Sequence, residues 1–313
     1  MFPLEELTSM PTTVTASETL GDLQFEPVVS RLPSSIWLLA PSLLAYACAR
    51  VLEVLHTPIP QTAIVALDVL SALSFALIDG SRQFRLRGIL IFAFICVVVG
   101  NLTENLSIAT GFPFGHYSFV QLMGPKLFQV PVLLGLAYIG MSYVSWRVAQ
   151  SILGTSPTNA MGLRFFALPL LASFVMTAWD LAQDPVWATV LHGWVWRDGG
   201  AWFGVPVSNY LGWTGTVFGI YVLFALYLRS QARFLSNGSS TRSWPAMVFY
   251  SLCAAGNVSQ WIPKPVPPVV QDPTGKLWQV ADITTASALV SIFVMGGFVT
   301  LAWMRIRARK QGS

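Results

Sequence analysis

Six ionisable residues fall inside or at the edges of strongly apolar stretches of this chain: Arg50, Glu53, Asp68, Glu104, Asp180 and Asp282. Charge is costly in hydrocarbon, so an intramembrane ionisable group is read first as functional. Two stretches concentrate the signal. Glu104 lies in NLTENLSIATGFPFGHYSF, where Gly111 and Gly115 allow tight backbone geometry and Phe112, Phe114, Tyr117 and Phe119 offer ring faces. Asp180 and Asp184 lie in WDLAQDP, four residues apart and so on one helix face. Trp179, Trp187, Trp194, Trp196, Trp202, Phe203 and Trp213 crowd the same stretch.

Acids beside aromatic walls suit three chemistries. A buried carboxylic acid can protonate an alkene, and ring faces stabilise the resulting carbocation by about 0.5–2 kcal/mol per good contact. Asp180 and Asp184 could instead hold Mg²⁺ against a diphosphate, but that chemistry takes further acids and several bases, and this layer has few. Acids could also relay protons or ions in a transporter. A transporter needs a polar path to the opposite face, and the inner halves of the apolar stretches offer little besides Asp79, which has Arg82 and Arg85 close by in sequence.

Other residues have plainer readings. Arg50 and Glu53, at i, i+3, are expected to form a structural ion pair. Asp68 has no basic neighbour in sequence and needs a partner from another helix; it either hydrogen-bonds in place or works. Cys48, Cys96 and Cys253 sit in apolar segments without metal-ligand spacing, and His56, His116 and His192 are scattered over different connections. The motifs DxDD, GxSxG, HExxH and the P-loop are absent. No cofactor or metal is expected, and turnover should be insensitive to EDTA.

The elements that must position these residues are membrane helices. The 313 residues are 54% hydrophobic and 10% charged, well below the roughly 25% charge of soluble domains. The net charge of +4 gives no sign of nucleic-acid binding. Apolar runs of about 20 residues predict an all-α bundle of eight spans at 36–55, 61–79, 87–108, 128–147, 164–182, 210–229, 245–262 and 282–304. The seventh is the weakest, and seven spans is the alternative. Arg31, Arg82, Arg85, Arg87, Arg147, Arg164, Arg229, Arg233, Arg242, Arg305, Arg307, Arg309 and Lys310 then alternate onto one face, against Lys126, Arg197, Lys264 and Lys276 on the other. The positive-inside rule makes both termini cytosolic. Asn237 would be cytosolic and unglycosylated, and the connections 56–60, 109–127, 183–209 and 263–281 would face the lumen. Residues 1–35 are expected to be a disordered acidic tail, 36–304 the catalytic bundle and 305–313 a basic cytosolic tail.

On Glu104 followed by TGFPFGHYSF, and on WD…DP…WVWRDGGAWFGVPVSNYLGW, the chain resembles the membrane-bound carotenoid 1,2-hydratase family. The resemblance covers roughly residues 35–305. In size and acidic tail the chain is also similar to fungal integral-membrane terpene cyclases of meroterpenoid pathways. These resemblances imply protonation of a terminal prenyl alkene. Attack by the next alkene gives a cyclase, the favoured reading because rings crowd the outer loops, and capture of water gives a hydratase. A transporter or binding protein for a lipophilic molecule is the reading from a different class. The resemblance implies Asp180 as general acid, Glu104 as its partner or the alternative donor, and Asp184 as orienting group or final base. Phe114, Tyr117, Trp179, Trp194, Trp196 and Trp202 would line the cation path. The expected partners are a lipophilic prenylated small molecule, membrane lipid and other pathway enzymes, in the endoplasmic reticulum with the site toward the lumen.

Overall fold

The computed structural model describes residues 34–55, 57–154, 162–231, 243–262 and 266–311. The acidic tail up to residue 33 lies outside the described residues, as do His56, Arg233, Asn237, Arg242 and Lys264. Long apolar runs give long helices: α1 (Ser34–Val54), α2 (Gln61–Thr110), α3 (Val132–Leu153), α4 (Arg164–Pro185), α5 (Val207–Ser230) and α6 (Trp244–Ser259). The last apolar stretch forms α7 (Val280–Leu289) and α8 (Gly296–Gln311), joined through a π-helical turn at Val290–Met295. Pro60, Pro131 and Pro206 stand just before α2, α3 and α5. A fixed φ and a missing N–H suit the start of a helix, where that donor has no partner inside it.

Among the described residues, six helical segments are long and apolar enough to cross a membrane: Trp37–Val54, Gln61–Thr110, Val132–Leu153, Arg164–Val190, Val207–Ser230 and Val280–Ala308. The protein is therefore an integral membrane protein. Large apolar side chains on the outer faces, among them Leu44, Phe94, Leu102, Leu211 and Phe293, stay exposed in the isolated chain, as lipid-facing surfaces require. The sequence predicts separate spans at 61–79 and 87–108 with a loop between them. Instead the chain stays helical through both and breaks only at Arg85 (φ 61°, ψ 165°). A straight helix of 50 residues would reach about 75 Å, far beyond a hydrocarbon core of about 30 Å. Two further boundaries move. The basic segment after residue 304 continues α8 to Gln311, and α6, at 16 residues, is shorter than the predicted seventh span.

The bundle closes around α3, which packs on α2, α4, α6 and α8. Trp146, Tyr138, Tyr143, Phe92, Phe224 and Phe249 are fully buried there. Arg147, expected at the cytosolic end of the predicted span 128–147, lies inside this core at 1% exposure because α3 runs on to Leu153. Its Nε is 3.5 Å from Asp79 Oδ2, and the Tyr143 hydroxyl donates to the same oxygen at 2.6 Å. The expected neighbours of Asp79, Arg82 and Arg85, are exposed instead.

The bundle is mostly helical, as the all-α expectation has it, but its connections are not wholly irregular. Among the described residues they contain six short strands: β1 (Tyr117–Phe119), β2 (Lys126–Leu127), β3 (Val130–Pro131), β4 (Trp194–Trp196), β5 (Val269–Gln271) and β6 (Leu277–Gln279). These pair antiparallel as β1–β4, β2–β3 and β5–β6.

Candidate functional site

Glu104 projects from the last turns of α2, and the chain after it is shaped to return to it. Gly111 closes the helix at φ 80°, and its N–H donates to Ser107 O at 2.7 Å. A side chain there would suffer the left-handed backbone and its Cβ would meet the His116 ring at 2.7 Å. Ser107 Oγ accepts from the Phe114 N–H (3.1 Å) and donates to Gly115 O (3.0 Å). This folded turn delivers Tyr117, whose hydroxyl donates to Glu104 Oε2. Tyr138 of α3 donates to Oε1 at 2.7 Å and stacks on Trp213 (4.6 Å between rings, 8° between planes). Burial, and the Glu104 carboxyl beside it, hold the Tyr117 phenol well above its ordinary pKa, so it stays a donor.

The β1–β4 ladder joins the two loops that carry the motifs. Tyr117 lies opposite Trp196 and Phe119 opposite Trp194. Alternate residues of a strand point to one face, so these four rings share a face, and all four line one cavity. Tyr117 sits 4.6 Å from the Trp196 ring and 5.3 Å from Phe119.

Opposite this face, α4 presents Trp179, Asp180, Gln183 and Asp184 to the same cavity. Asp184 Oδ1 accepts from Trp194 Nε1 at 2.7 Å, and its Oδ2 accepts from Asn209 Nδ2 at 2.6 Å. The same amide donates to Asp180 Oδ2 at 3.3 Å. No side chain among the described residues hydrogen-bonds Asp180 Oδ1, and none of Glu104, Asp180 and Asp184 forms an ion pair among those residues. The cavity holds about 470 Å³ between atoms, and Leu134, Ala137, Asn209 and Trp213 complete its lining. Three carboxyl groups, held only by neutral donors among the described residues, thus share one cavity with a wall of rings.

The sequence-predicted residues divide accordingly. Glu104, Asp180, Asp184, Tyr117, Trp179, Trp194 and Trp196 meet at this cavity. Phe114 and Trp202 are not among its lining residues. Phe114 packs behind Trp213 (6.4 Å between rings), and Trp202 faces away, donating from Nε1 to Leu181 O at 3.2 Å. Asp282 stands exposed in the first turn of α7, where the helix dipole favours an acid. His116 pairs with Asp198 at 3.0 Å on the surface, and His192 is exposed. The residues missed by sequence reasoning are Tyr138, Gln183 and Asn209. Asn209 lies inside the SNYLGW block, and Tyr138 is a hydroxyl in mid-span, so both carried a signal.

Arg50, Glu53 and Asp68 form a second cluster. Arg50 Nη1 is 2.9 Å from Glu53 Oε2 and 4.0 Å from Asp68 Oδ2, and its Nη2 donates to Asn257 Oδ1 at 3.1 Å. The guanidinium lies directly over Gly256, in space that any Cβ would fill.

On the same side, Asp272 anchors the β5–β6 hairpin. Its Oδ1 accepts from Thr274 N–H (2.9 Å), Thr274 Oγ1 (2.6 Å) and Lys276 N–H (3.1 Å), and its Oδ2 from Trp278 Nε1 (2.9 Å). Burial opposes ionisation, but these donors outweigh it and hold the carboxyl below its ordinary pKa. Trp278 then packs on Phe203, 5.5 Å between rings, which braces the loop after β4.

No curated protein and no solved structure matched the chain. Among family models, the carotenoid biosynthesis protein family matches residues 61–271, a stretch that begins with α2 and includes all three carboxyl groups and both halves of the β1–β4 ladder. The chain therefore belongs to the carotenoid biosynthesis protein family, and with it to the membrane proteins of isoprenoid metabolism.

Proposed function

We propose that this protein is an integral-membrane terpene cyclase that protonates the terminal alkene of a prenyl chain and closes rings through a carbocation. One observation carries the reading: among the described residues Asp180 Oδ1 meets no donor, within a ring-lined cavity whose other two carboxyls are engaged at both oxygens. That oxygen is free to present a proton. In the proposed step the Asp180 O–H bond breaks as a C–H bond forms at the terminal alkene carbon, leaving a tertiary cation. The π pair of the next alkene then forms a C–C bond, and a proton lost from the carbon beside the final cation passes to Asp184. The product is an isomer of the substrate, and the carboxyl set ends with the proton count it began with.

Glu104, fixed by its two tyrosines, is the partner of Asp180 or the alternative donor. Trp179, Tyr117, Trp194 and Trp196 flank the cation, and Phe119 and Trp213 join them. Each well-placed ring contributes about 0.5–2 kcal/mol. Family membership supports an isoprenoid substrate. It serves equally for a hydratase, in which water captures the same first cation.

The proposed membrane arrangement keeps eight crossings, counting α2 as two arms on either side of Arg85 and α6 as one. Both termini are cytosolic and the cavity faces the lumen of the endoplasmic reticulum. The exposed arginines at the α2 break, Arg82, Arg85 and Arg87, support this sidedness.

The test is incubation of membranes containing the protein with prenylated candidates in D₂O. Deuterium in a product of unchanged composition is expected. A product heavier by one water identifies the hydratase instead, and bound but unaltered substrate identifies a carrier.

A further inference from the structure

Among the described residues the carboxyl cavity adjoins a row of two further chambers. A second, of about 610 Å³, shares Leu134, Ala137, Trp179, Gln183 and Trp194 with it. A third, of about 870 Å³ beneath the α1–α2 connection, shares Gln183 and Trp187 with the second. Gln183 borders all three. The face of α4 runs along the row, with Asp180 in the first chamber and Leu191, beyond the π-helical turn at Val186–Val190, in the third. Eleven residues of helical rise make that about 16 Å.

The chemistry changes along the row. The first chamber is acidic and aromatic and the second largely apolar. The third is rich in uncommitted polar groups, because Glu53 Oε1, Thr57 Oγ1 and Ser287 Oγ are buried without a hydrogen-bond partner and all three residues line it. The Glu53 side chain is only 4% exposed. A buried acceptor and two buried hydroxyls left unmatched are costly, and a ligand that pairs with them recovers that cost. The cation that lines this chamber among the described residues, Arg50, spends Nη1 on Glu53 and Nη2 on Asn257 and leaves only Nε unpaired, a single N–H against the several charges of a diphosphate.

We propose that the third chamber is a head-group site for the neutral, hydroxyl-bearing end of a prenylated substrate, whose chain threads the second chamber and ends at Asp180. This rests on the proposed function for the far end of the chain and adds to it the class of substrate. The head donates its O–H to Glu53 Oε1 and accepts from Thr57 or Ser287. A diphosphate head would instead need uncommitted cations.

The test is equilibrium binding to the purified full chain in nanodiscs, read by quenching of tryptophan fluorescence, with farnesol, farnesene and farnesyl diphosphate as probes. Farnesol is expected to bind about tenfold more tightly than farnesene, the size of effect one or two hydrogen bonds supply. Glu53→Gln should reduce that preference severalfold. So should Thr57→Val combined with Ser287→Ala, which leaves the Arg50–Glu53 pair intact. Farnesene affinity should not move in either variant. Equal affinity for alcohol and hydrocarbon in the unaltered protein overturns the proposal, as does tightest binding of the diphosphate, or variants that weaken both neutral ligands alike. Asp180→Asn should keep the preference for farnesol. If it does while no substrate takes up deuterium in D₂O, the proton-donor reading fails and the head-group site stands.

Discussion

Asp79 and Asp180 are both aspartates on long apolar helices, and both are 3% exposed. Equal burial leaves their partners as the difference. Asp79 faces the guanidinium of Arg147 and accepts from Tyr143, both at Oδ2, so its charge is answered locally by a cation. Asp180 has one amide donor, two carboxyl neighbours and a bare oxygen. The same side chain is thus paired with a cation in one half of the bundle and, in the proposed reading, the proton donor in the other. Burial of an acid is not by itself a sign of function; a buried acid whose compensation is incomplete, beside a cavity, is the better sign.

The comparison breaks most sharply at Asp180. Asp180→Asn keeps the shape and the Asn209 contact but removes the proton, and turnover should fall about 10³-fold, within the range for loss of a general acid, with expression and membrane insertion intact. A loss below about tenfold would falsify the assignment. At the other pole, Asp79→Ala should cost about 3–5 kcal/mol of stability, because a buried guanidinium loses its carboxylate. It would be measured as a lower unfolding temperature, with turnover per folded molecule unchanged. Reduced turnover in well-folded Asp79→Ala protein would mean that the two halves are coupled.

The smallest effect is expected at Asp272, whose carboxyl, like that of Asp184, is held by neutral donors. Its folded pKa is depressed, so its contribution is complete above the ordinary carboxylate value of about 3.9 and is lost as pH falls through the lower folded value. The protection of the Thr274 and Lys276 amides, after correction for the intrinsic pH dependence of exchange, should therefore stay constant from neutral pH down to about 4 and fall only below it. Protection that falls between neutral pH and 5 would show that other groups hold the hairpin.

Much of this was legible in the chain. Apolar runs marked the helices because a spanning helix must bury no unsatisfied backbone in lipid, and the two motif blocks marked Glu104, Asp180 and Asp184 as candidates. What escaped depended on contacts distant in sequence. Tyr138 meets Glu104 across 34 residues, and Arg147 meets Asp79 from a helix whose end the charge pattern alone put several residues too early. The resemblance places Phe114 and Trp202 on the cation path by their positions in the two blocks, which does not say which way a loop ring turns. Gln183 was silent because an amide between two acids carries no charge signal. The row of chambers makes it visible.

The β1–β4 ladder has a consequence for engineering. Residues 117–119 and 194–196 pair across the fold, and each strand supplies a donor to a different carboxyl: Tyr117 to Glu104 and Trp194 to Asp184. A slip of one position turns every side chain of the slipped strand to its other face, so a slip in β1 would cost Glu104 its Tyr117 donor and a slip in β4 would cost Asp184 its Trp194 donor. A loop graft from a relative that replaces residues 111–131 alone therefore imports half a handshake. Chimaeras intended to exchange product specificity should carry both loops from one parent.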